Sequence, residues 1–255
     1  MKTKTYFISD LHLGAGYITD PRGHENAIAE WLRSIAPEAR TLYLLGDVMD
    51  YWFEYRSVVP RGHVRFLGAL AELADSGTEI VWLKGNHDIW LFDYLRDEIG
   101  LKVVDGVIDT MIDGRRFVME HGDGVGEPRL GYRIMRGFFR NRFAQWLYAG
   151  IHPRWTVGFA LAWSKHSRLR GRQMPDPGRL PANDVMIRFA NDYVGRNGQV
   201  DYFVFGHRHV PVDMELDSGA RLIVLGECFK KMSYGVWNGA FFELKRIKSQ
   251  AYAPN

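Results

Sequence analysis

Five short motifs in this chain carry side chains that proteins use to bind divalent metal ions. The motifs are Asp10-x-His12, Gly46-Asp47-x-x-Asp50, Gly85-Asn86-His87-Asp88, His121 and Gly206-His207-x-His209. In Asp-x-His and His-x-His the two side chains are two residues apart, and an extended backbone sends such side chains to the same side. We therefore expect each of these pairs to converge on one point and to bind a metal ion there.

The mixture of ligand types narrows the choice of metal. Neutral imidazole favours borderline transition metals, whereas carboxylate and amide oxygens favour harder ions, so a mixed set indicates manganese, iron, zinc or a similar divalent pair rather than calcium. The chain has one cysteine, Cys228, and a closed zinc site built from thiolates is therefore not expected. Burying so many carboxylates and imidazoles together without a metal would carry a large desolvation cost.

Most of the motifs directly follow a run of residues that is typical of a β-strand. Such runs cover 4–9, 41–45, 79–83, 115–119 and 202–205, with others at 107–112, 212–216, 222–225 and 240–244, and helical patterns cover 25–36, 64–74 and 186–194. Asp113-Gly114 separates two of the strand-like runs and predicts a tight hairpin turn. The order of elements predicts an α/β (α+β) fold in which two sheets pack together, with helices outside and the motifs at the carboxyl ends of strands.

Length and composition fit one globular domain. The chain has 255 residues, of which 46% are hydrophobic and 25% charged, and this profile argues against disorder. The N-terminus has no apolar core of a signal peptide, and the longest uncharged apolar run, 155–163, is too short to span a bilayer. We expect a cytoplasmic protein.

The segment 128–180 differs in charge from the rest of the chain. It contains ten arginines and one lysine against a single aspartate, so it carries a net charge of +10 and the remainder carries −7. Apolar side chains recur every four residues between Leu130 and Leu147, interleaved with arginines, and predict one amphipathic basic helix. Such a surface suits either a membrane interface or nucleic acid, although its apolar face could instead pack on the core.

All five motifs, in this order, resemble the pattern of the calcineurin-like metallophosphoesterase superfamily. The resemblance implies a four-layer αββα metallophosphoesterase sandwich formed by residues 1–255 as a single domain, with 128–180 as a helical insertion that forms a cap. It also implies two divalent metal ions, most simply Mn²⁺, with Fe²⁺ or Zn²⁺ as alternatives. Two ions about 3.5–4 Å apart suit in-line displacement at phosphorus, because they align a water and neutralise charge on the phosphoryl oxygens.

The resemblance also implies a role for each motif residue. It places Asp10, His12 and His209 on one ion, Asn86, His121 and His207 on the second, and Asp47 between both. It makes His87 a catalytic group that lies over the phosphate and protonates the leaving oxygen, with Asp88 fixing the tautomer of His87. Asp50 fits a structural role as well as it fits a place behind these ligands, and Glu227 has no motif support and is expected to have a packing or solvated role.

A narrower resemblance covers almost the whole chain. The stretch from Gly46 to Arg56, the stretch from Gly85 to Trp90 and the basic, aromatic insertion are similar to the UDP-2,3-diacylglucosamine diphosphatase family of lipid A synthesis. The best-known members have an arginine after the asparagine of the third motif, whereas this chain has His87. The resemblance implies hydrolysis of UDP-2,3-diacylglucosamine to UMP and 2,3-diacylglucosamine 1-phosphate, and the alternative is a phosphoesterase of the same fold that acts on a nucleotide, a nucleic acid or a phosphoprotein.

Such a substrate combines an anionic pyrophosphate with two acyl chains, which matches an insertion rich in arginine and aromatic residues. The candidates for binding it are Arg133, Arg136, Lys165 and Arg168. We expect the insertion to contact the cytoplasmic membrane surface as part of a peripheral protein of the inner membrane, and we do not expect nucleic acid as the partner.

Overall fold

The computed structural model describes residues 1–125, 130–156, 158, 180–249 and 252. The strands are β1 (Lys4–Ile8), β2 (Ala39–Leu45), β3 (Glu79–Leu83), β4 (Lys102–Val104), β5 (Ile108–Ile112), β6 (Arg115–Glu120), β7 (Tyr202–Phe205), β8 (Pro211–Glu215), β9 (Arg221–Leu225), β10 (Ser233–Trp237) and β11 (Phe242–Arg246). The helices are α1 (Pro21–Ile35), α2 (Val64–Asp75), α3 (Tyr94–Ile99), α4 (Leu130–Arg140), α5 (Arg142–Ala149) and α6 (Val185–Asn197).

The strands form two mixed sheets. A six-stranded sheet has the order β11-β10-β1-β2-β3-β4, and a five-stranded sheet has the order β5-β6-β7-β9-β8. Strands β1, β2, β3 and β4 are parallel to one another, and so are β6, β7 and β9. The carboxyl ends of the parallel strands in each sheet therefore lie along one edge of that sheet.

The fold has four layers, and three hydrophobic clusters pack neighbouring layers against each other. One cluster lies between the six-stranded sheet and helices α1 and α2, and includes Trp31 and Phe66. A second joins the two sheets through residues such as Phe7 and Phe117, whose rings stack 5.9 Å apart. The third packs α6 on the five-stranded sheet through Met186. The predicted α/β sandwich, with sheets inside and helices outside, is confirmed.

The structure corrects the sequence interpretation in several details, and helix α3 and strand β4 are among the elements that this interpretation did not predict. The amphipathic pattern between Leu130 and Leu147 forms two helices rather than one, because the Asn141 side chain accepts hydrogen bonds from the Phe143 and Ala144 N–H groups and so caps α5. Strand β10 was not predicted. It contains Gly235, which weakens a strand pattern, and an added Cβ there would overlap the ring of Phe242.

The described part of the insertion rests on the loops that follow β2 and β3. Trp90 Nε1 donates to Phe139 O at 2.9 Å, Tyr51 and Tyr148 share a hydrogen bond of 3.2 Å, and Tyr55 and Thr156 share one of 2.7 Å. No helix among the described residues has the length and apolarity needed to cross a bilayer.

Candidate metal centre

The structure brings the seven predicted ligands together at the carboxyl ends of strands from both sheets. Asp10 and His12 follow β1, Asp47 follows β2 and Asn86 follows β3. On the facing sheet, His121 follows β6, and His207 and His209 follow β7. Two groups of potential ligand atoms result, one formed by Asp10, His12 and His209 and the other by Asp47, His121 and His207, and within each group all atoms lie within 4.8 Å of one another.

Five of these residues have left-handed backbone conformations. Their φ angles lie between 47° and 66° at Asp10, His12, Asp47, His207 and His209. The pairs Asp10/His12 and His207/His209 converge as expected, but not because the backbone is extended. Strand β1 ends at Ile8 and β7 ends at Phe205, before either pair begins. The pairs converge in tight loops after the strands, and left-handed non-glycine residues of this kind concentrate at functional sites.

The first group is compact, and two of its members, Asp10 and His12, are buried. Asp10 Oδ1 lies 3.2 Å from His209 Nε2 and 3.8 Å from His12 Nε2, and the two imidazole nitrogens are 3.2 Å apart. The other oxygen, Asp10 Oδ2, accepts the His207 N–H at 2.9 Å. Asp10 Oδ1 is buried and accepts no hydrogen bond from the described residues, which fits an atom whose partner is a cation.

The second group is oriented by the backbone behind it. His121 Nδ1 lies 2.8 Å from Leu45 O, and since a carbonyl oxygen only accepts, Nδ1 carries a hydrogen and Nε2 points into the site. His121 Nε2 lies 3.3 Å from Asp47 Oδ2 and 3.3 Å from Asn86 Oδ1. The His207 ring centroid is 5.1 Å from that of His121.

Asp47 lies between the two groups. Its Oδ2 is 3.3 Å from His121 Nε2 and 3.9 Å from His12 Nε2, while its Oδ1 accepts the His87 N–H at 2.8 Å. The loops fit closely here, because an added Cβ at Gly85 would overlap Asp47 Oδ1 and N, and one at Gly46 would lie 2.6 Å from His121 Nδ1. Glycine at both motif positions therefore allows two loops to approach one carboxylate.

His87 lies at the more open side of the centre. Its Nδ1 donates to Asp50 O at 2.9 Å, and its Nε2 lies 4.0 Å from Asp47 Oδ2. A third group of potential ligand atoms consists of His12, Asp47 and His87, so the geometry also permits His87 to be a ligand. The Asp50 carboxylate lies 3.4 Å from His12 Nδ1 and 3.7 Å from His87 Nδ1, which places it behind both rings.

The Asp88 carboxylate was expected to contact the ring of His87, but its hydrogen bonds are made with other groups. Its oxygens instead accept four N–H groups, those of Gly85, Asp47, Val48 and the Trp82 indole, at 2.7–3.3 Å. Asp88 therefore fixes the loops that carry Asp47 and Asn86, and the His87 ring is oriented by Asp50. Burial, together with the nearby Asp47 charge, raises the pKa of Asp88 to about 6.

The electrostatics of the centre favour added positive charge. Burial alone would raise the pKa of Asp10, but the adjacent His209 imidazole outweighs it and holds the pKa at about 2. Burial would likewise lower the pKa of His121, but the Asp47 and Asp10 carboxylates raise it well above its usual value. The Asp47 and Asp10 carboxylates thus favour positive charge in a site whose oxygens and nitrogens suit divalent metal ions, and these residues fit the ions that the motifs predict.

The candidates for substrate binding are less well placed. Arg136 faces the core, with Nε 3.6 Å from Asp123 Oδ2, in the loop behind His121. The side chain of Arg133 is not described, and Lys165 and Arg168 lie outside the described residues. Sequence reasoning also missed Phe229, whose ring centroid lies 5.9 Å from that of His12 and 5.6 Å from that of His209. A single aromatic residue without a periodic partner gave no signal.

Comparison with known proteins agrees with this geometry. The model of the family described as calcineurin-like phosphoesterase matches residues 3–211. The chain is similar to a UDP-2,3-diacylglucosamine hydrolase of Porphyromonas gingivalis, with 43% identity over 97% of this chain and 99% of that protein. It is also similar to a protein of the same name from Ralstonia nicotianae, with 30% identity over 81% of this chain and 77% of that protein. With its motifs gathered into one centre and its length matched by these relatives, the chain belongs to the calcineurin-like phosphoesterase family of metal-dependent hydrolases.

Proposed function

We propose that this protein hydrolyses the pyrophosphate bond of UDP-2,3-diacylglucosamine, releasing UMP and 2,3-diacylglucosamine 1-phosphate. The observation that carries the proposal is the 43% identity, over nearly the full length of both chains, to a protein named UDP-2,3-diacylglucosamine hydrolase. The ligand groups around Asp47 support the hydrolytic chemistry, and the surroundings of the centre support an amphiphilic substrate.

A cavity between the core and the insertion supports an anionic, partly apolar ligand. It has a volume of about 710 Å³ and begins beside the metal centre at Leu13, directly after His12. Its walls are mostly apolar. Four arginines line it, namely Arg22, Arg61, Arg65 and Arg154, and none of them forms a salt bridge with another described residue.

The one carboxylate in the lining does not neutralise these arginines. Glu25 Oε1 accepts the N–H groups of Arg65 and Phe66 at 2.7 and 3.2 Å, so it caps the start of α2. Apolar walls with several guanidinium groups suit a molecule that has acyl chains and phosphate. We therefore assign the lipid-phosphate half of the substrate to this cavity and treat 128–180 as the cap that closes it.

Within the centre, we assign Asp10, His12 and His209 to one divalent ion, Asn86, His121 and His207 to a second, and Asp47 to both. Bound ions would supply Lewis acidity toward the attacking water and the phosphoryl oxygens, and Mn²⁺ is the ion we propose. His121 and His87 are held in fixed tautomers by the carbonyl groups of Leu45 and Asp50. We assign to His87 a hydrogen bond to the phosphate and a proton for the leaving oxygen, which its Nε2 would donate in the imidazolium form, because the Nδ1 hydrogen is already donated to Asp50 O.

We further propose that the insertion touches the cytoplasmic face of the inner membrane. Helices α4 and α5 and the turn after them expose a set of large apolar side chains, namely Ile134, Phe138, Phe143, Trp146, Leu147, Ile151 and Trp155. Arg142 and Arg154 are exposed beside them. Apolar side chains with arginines on one surface suit the boundary of a bilayer that contains anionic lipid.

The direct test is UMP release from UDP-2,3-diacylglucosamine by protein loaded with Mn²⁺, with metal-depleted protein as the control. We expect UMP and the lipid sugar 1-phosphate in equal amounts, and only with metal present. Hydrolysis of bis(4-nitrophenyl) phosphate without any UMP release would keep the phosphoesterase and overturn the substrate.

A further inference from the structure

Two aromatic residues flank the accessible edge of the metal centre and have no role in the chemistry described above. Tyr17 and Phe229, which we call the aromatic pair, have ring centroids 5.2 Å apart. Phe229 packs at the same time against His12 and His209, with centroid distances of 5.9 and 5.6 Å. The aromatic pair therefore extends outward from the ligand group formed by Asp10, His12 and His209.

The backbone around Phe229 is held at several points. The buried carboxylate of Glu227 accepts the N–H groups of Phe229, Lys230 and Lys231 at 2.8, 2.7 and 2.9 Å. The Tyr252 hydroxyl donates to Phe229 O at 2.7 Å. Burying a carboxylate is costly unless several donors satisfy it, so the loop is built to fix this ring rather than merely to connect β9 with β10.

The aromatic pair is partly accessible to a ligand. Tyr17 is 40% exposed and Phe229 is half-buried, and the His209 side chain between Phe229 and Asp10 is 33% exposed. Lys230 is exposed and follows Phe229 directly. Two aromatic rings, which meet edge to face at an interplanar angle of 67°, and a cation thus border the point where a phosphate would meet the centre. An accessible aromatic face beside a cation is a combination that binds nucleotides.

The attacked phosphorus atom lies between the two halves of the substrate. In the bound substrate, these halves must extend from that atom in different directions. The lipid half is assigned to the apolar cavity, whose walls come from the loops after β1 and β2 and from the insertion. The aromatic pair adjoins His12 and His209, and neither of its rings lines that cavity, although Tyr17 lies in the same β1–α1 loop as the lining residues Leu13 and Gly14. It therefore provides a separate surface for the other half.

We propose that the aromatic pair is the stacking platform for the uracil base of the nucleotide half, with Lys230 beside its phosphate. The proposal rests on the proposed function, because the substrate of the relatives is a UDP derivative. Beyond the proposed function, the proposal gives a position for the nucleotide and makes Tyr17 and Phe229 the residues that determine specificity for it. Stacking on an aromatic ring depends on the base and not on the phosphate, and this difference separates the proposal from a purely structural role of the rings.

The experiment uses the Mn²⁺-loaded full-length protein and compares inhibition by UMP with inhibition by ribose 5-phosphate, which has the phosphate and sugar but no base. Bis(4-nitrophenyl) phosphate is the reporter substrate, so the measurement does not require turnover of the lipid. We expect UMP to inhibit the wild type about ten-fold more tightly than ribose 5-phosphate, and Tyr17→Ala to abolish that preference, as expected when one base-stacking contact is lost.

Tyr17→Phe is the matched control, because it keeps the ring and should keep the preference for UMP. Phe241→Ala removes a 50% exposed ring in the β10–β11 turn and should also leave the preference unchanged. For Phe229→Leu, whose ring touches two ligands, binding of radiolabelled UMP by equilibrium dialysis replaces the kinetic assay, and we expect about ten-fold weaker binding.

The proposal is overturned if UMP and ribose 5-phosphate inhibit the wild type equally, or if Tyr17→Ala weakens both inhibitors to the same extent. These outcomes differ from failure of the proposed function. A wild type that prefers UMP but releases none from UDP-2,3-diacylglucosamine would reject the lipid substrate and retain the nucleotide platform.

Discussion

Asp47 is the residue through which the two ligand groups are joined. Its Oδ2 faces His121 and His12 at 3.3 and 3.9 Å, and its own N–H donates to Asp88. His87 also lies near this oxygen, at 4.0 Å, but its ring is held by Asp50 O. Asp47 and His87 lie close together, and substitutions at each position can distinguish a metal ligand from a catalytic group.

Asp47→Ala should lower bound metal and abolish hydrolysis, because we assign the Asp47 carboxylate to both ions. His87→Ala should reduce kcat by about 10²- to 10⁴-fold and leave metal content unchanged, as for the loss of a general acid. Metal content measured by inductively coupled plasma mass spectrometry, together with kcat, distinguishes the two. Equal metal loss in both variants would make His87 a ligand, as its place in the third group permits.

At the residue scale, the identity of the candidate ligands could be predicted but their surroundings could not. The order of the motifs identified Asp10, His121 and the others because residue type and order survive in the sequence. The family resemblance implied Asp88 as the partner of the His87 ring, whereas the ring donates to Asp50 O. Adjacent side chains can point apart, and sequence proximity therefore says little about hydrogen-bond partners.

At the scale of elements, the loops after the strands determine the centre more than the strands themselves. The loop of Gly46 and Asp47 and the loop of Gly85 and Asn86 touch through backbone atoms, since an added Cβ at Gly46 would lie 2.7 Å from Gly85 Cα. Both loops are also bound to the Asp88 carboxylate. Their positions depend on each other, so a small added volume in one should displace ligands carried by the other.

Gly85→Ala should therefore reduce metal content and activity, because its methyl group would overlap Asp47. Gly68→Ala is the matched control, since Gly68 lies within α2 and an added Cβ there meets no atom within 4 Å. The control should stabilise the protein by about 1 kcal/mol through helix propensity. Metal content and thermal unfolding of both variants test this, and a Gly85→Ala protein with full metal content would refute the steric argument.

Element prediction succeeded where one periodic pattern filled one element and failed where a local contact interrupted it. The four-residue repeat continues across Asn141, yet the Asn141 side chain caps a new helix. The amphipathic pattern depends on residue type alone, whereas a cap depends on the direction of one side chain. The alternation that predicts a strand likewise gave no sign of β10, in which Gly235 makes room for Phe242.

On the scale of the whole molecule, the charge asymmetry of the sequence indicated a functional division but not its details. Arg136, which was a candidate for binding substrate, and Arg140 form ion pairs with Asp123 and Asp105 of the core. Part of the positive charge of the insertion therefore attaches it to the core. We propose that the exposed apolar side chains and the cavity arginines, which form no salt bridge with another described residue, contact lipid.

Replacing both Phe143 and Trp146 with serine should weaken binding to vesicles that contain anionic lipid by at least about ten-fold. These rings are 66% and 69% exposed, and each would lose about 1.5–3 kcal/mol of apolar burial in the membrane. Phe241→Ser, which removes a 50% exposed ring elsewhere, should not alter binding. Vesicle co-sedimentation at low and high salt measures this, and unchanged partitioning of the double variant would assign these side chains to another contact.

The two ligand groups that we assign to the ions each draw side chains from both halves of the sandwich. Asp10 and His12 follow a strand of one sheet and His209 follows a strand of the other, and Asp47 faces His121 and His207 in the same way. A bound ion would thus add a cross-link between layers that meet through apolar side chains and a few hydrogen bonds, such as those of His121 with Leu45 O and of the His207 N–H with Asp10. At a free concentration one hundred times its dissociation constant, a single ion would add about 2.7 kcal/mol to the free energy of unfolding. The supply of dications would then govern how long the folded protein survives as well as how fast it works.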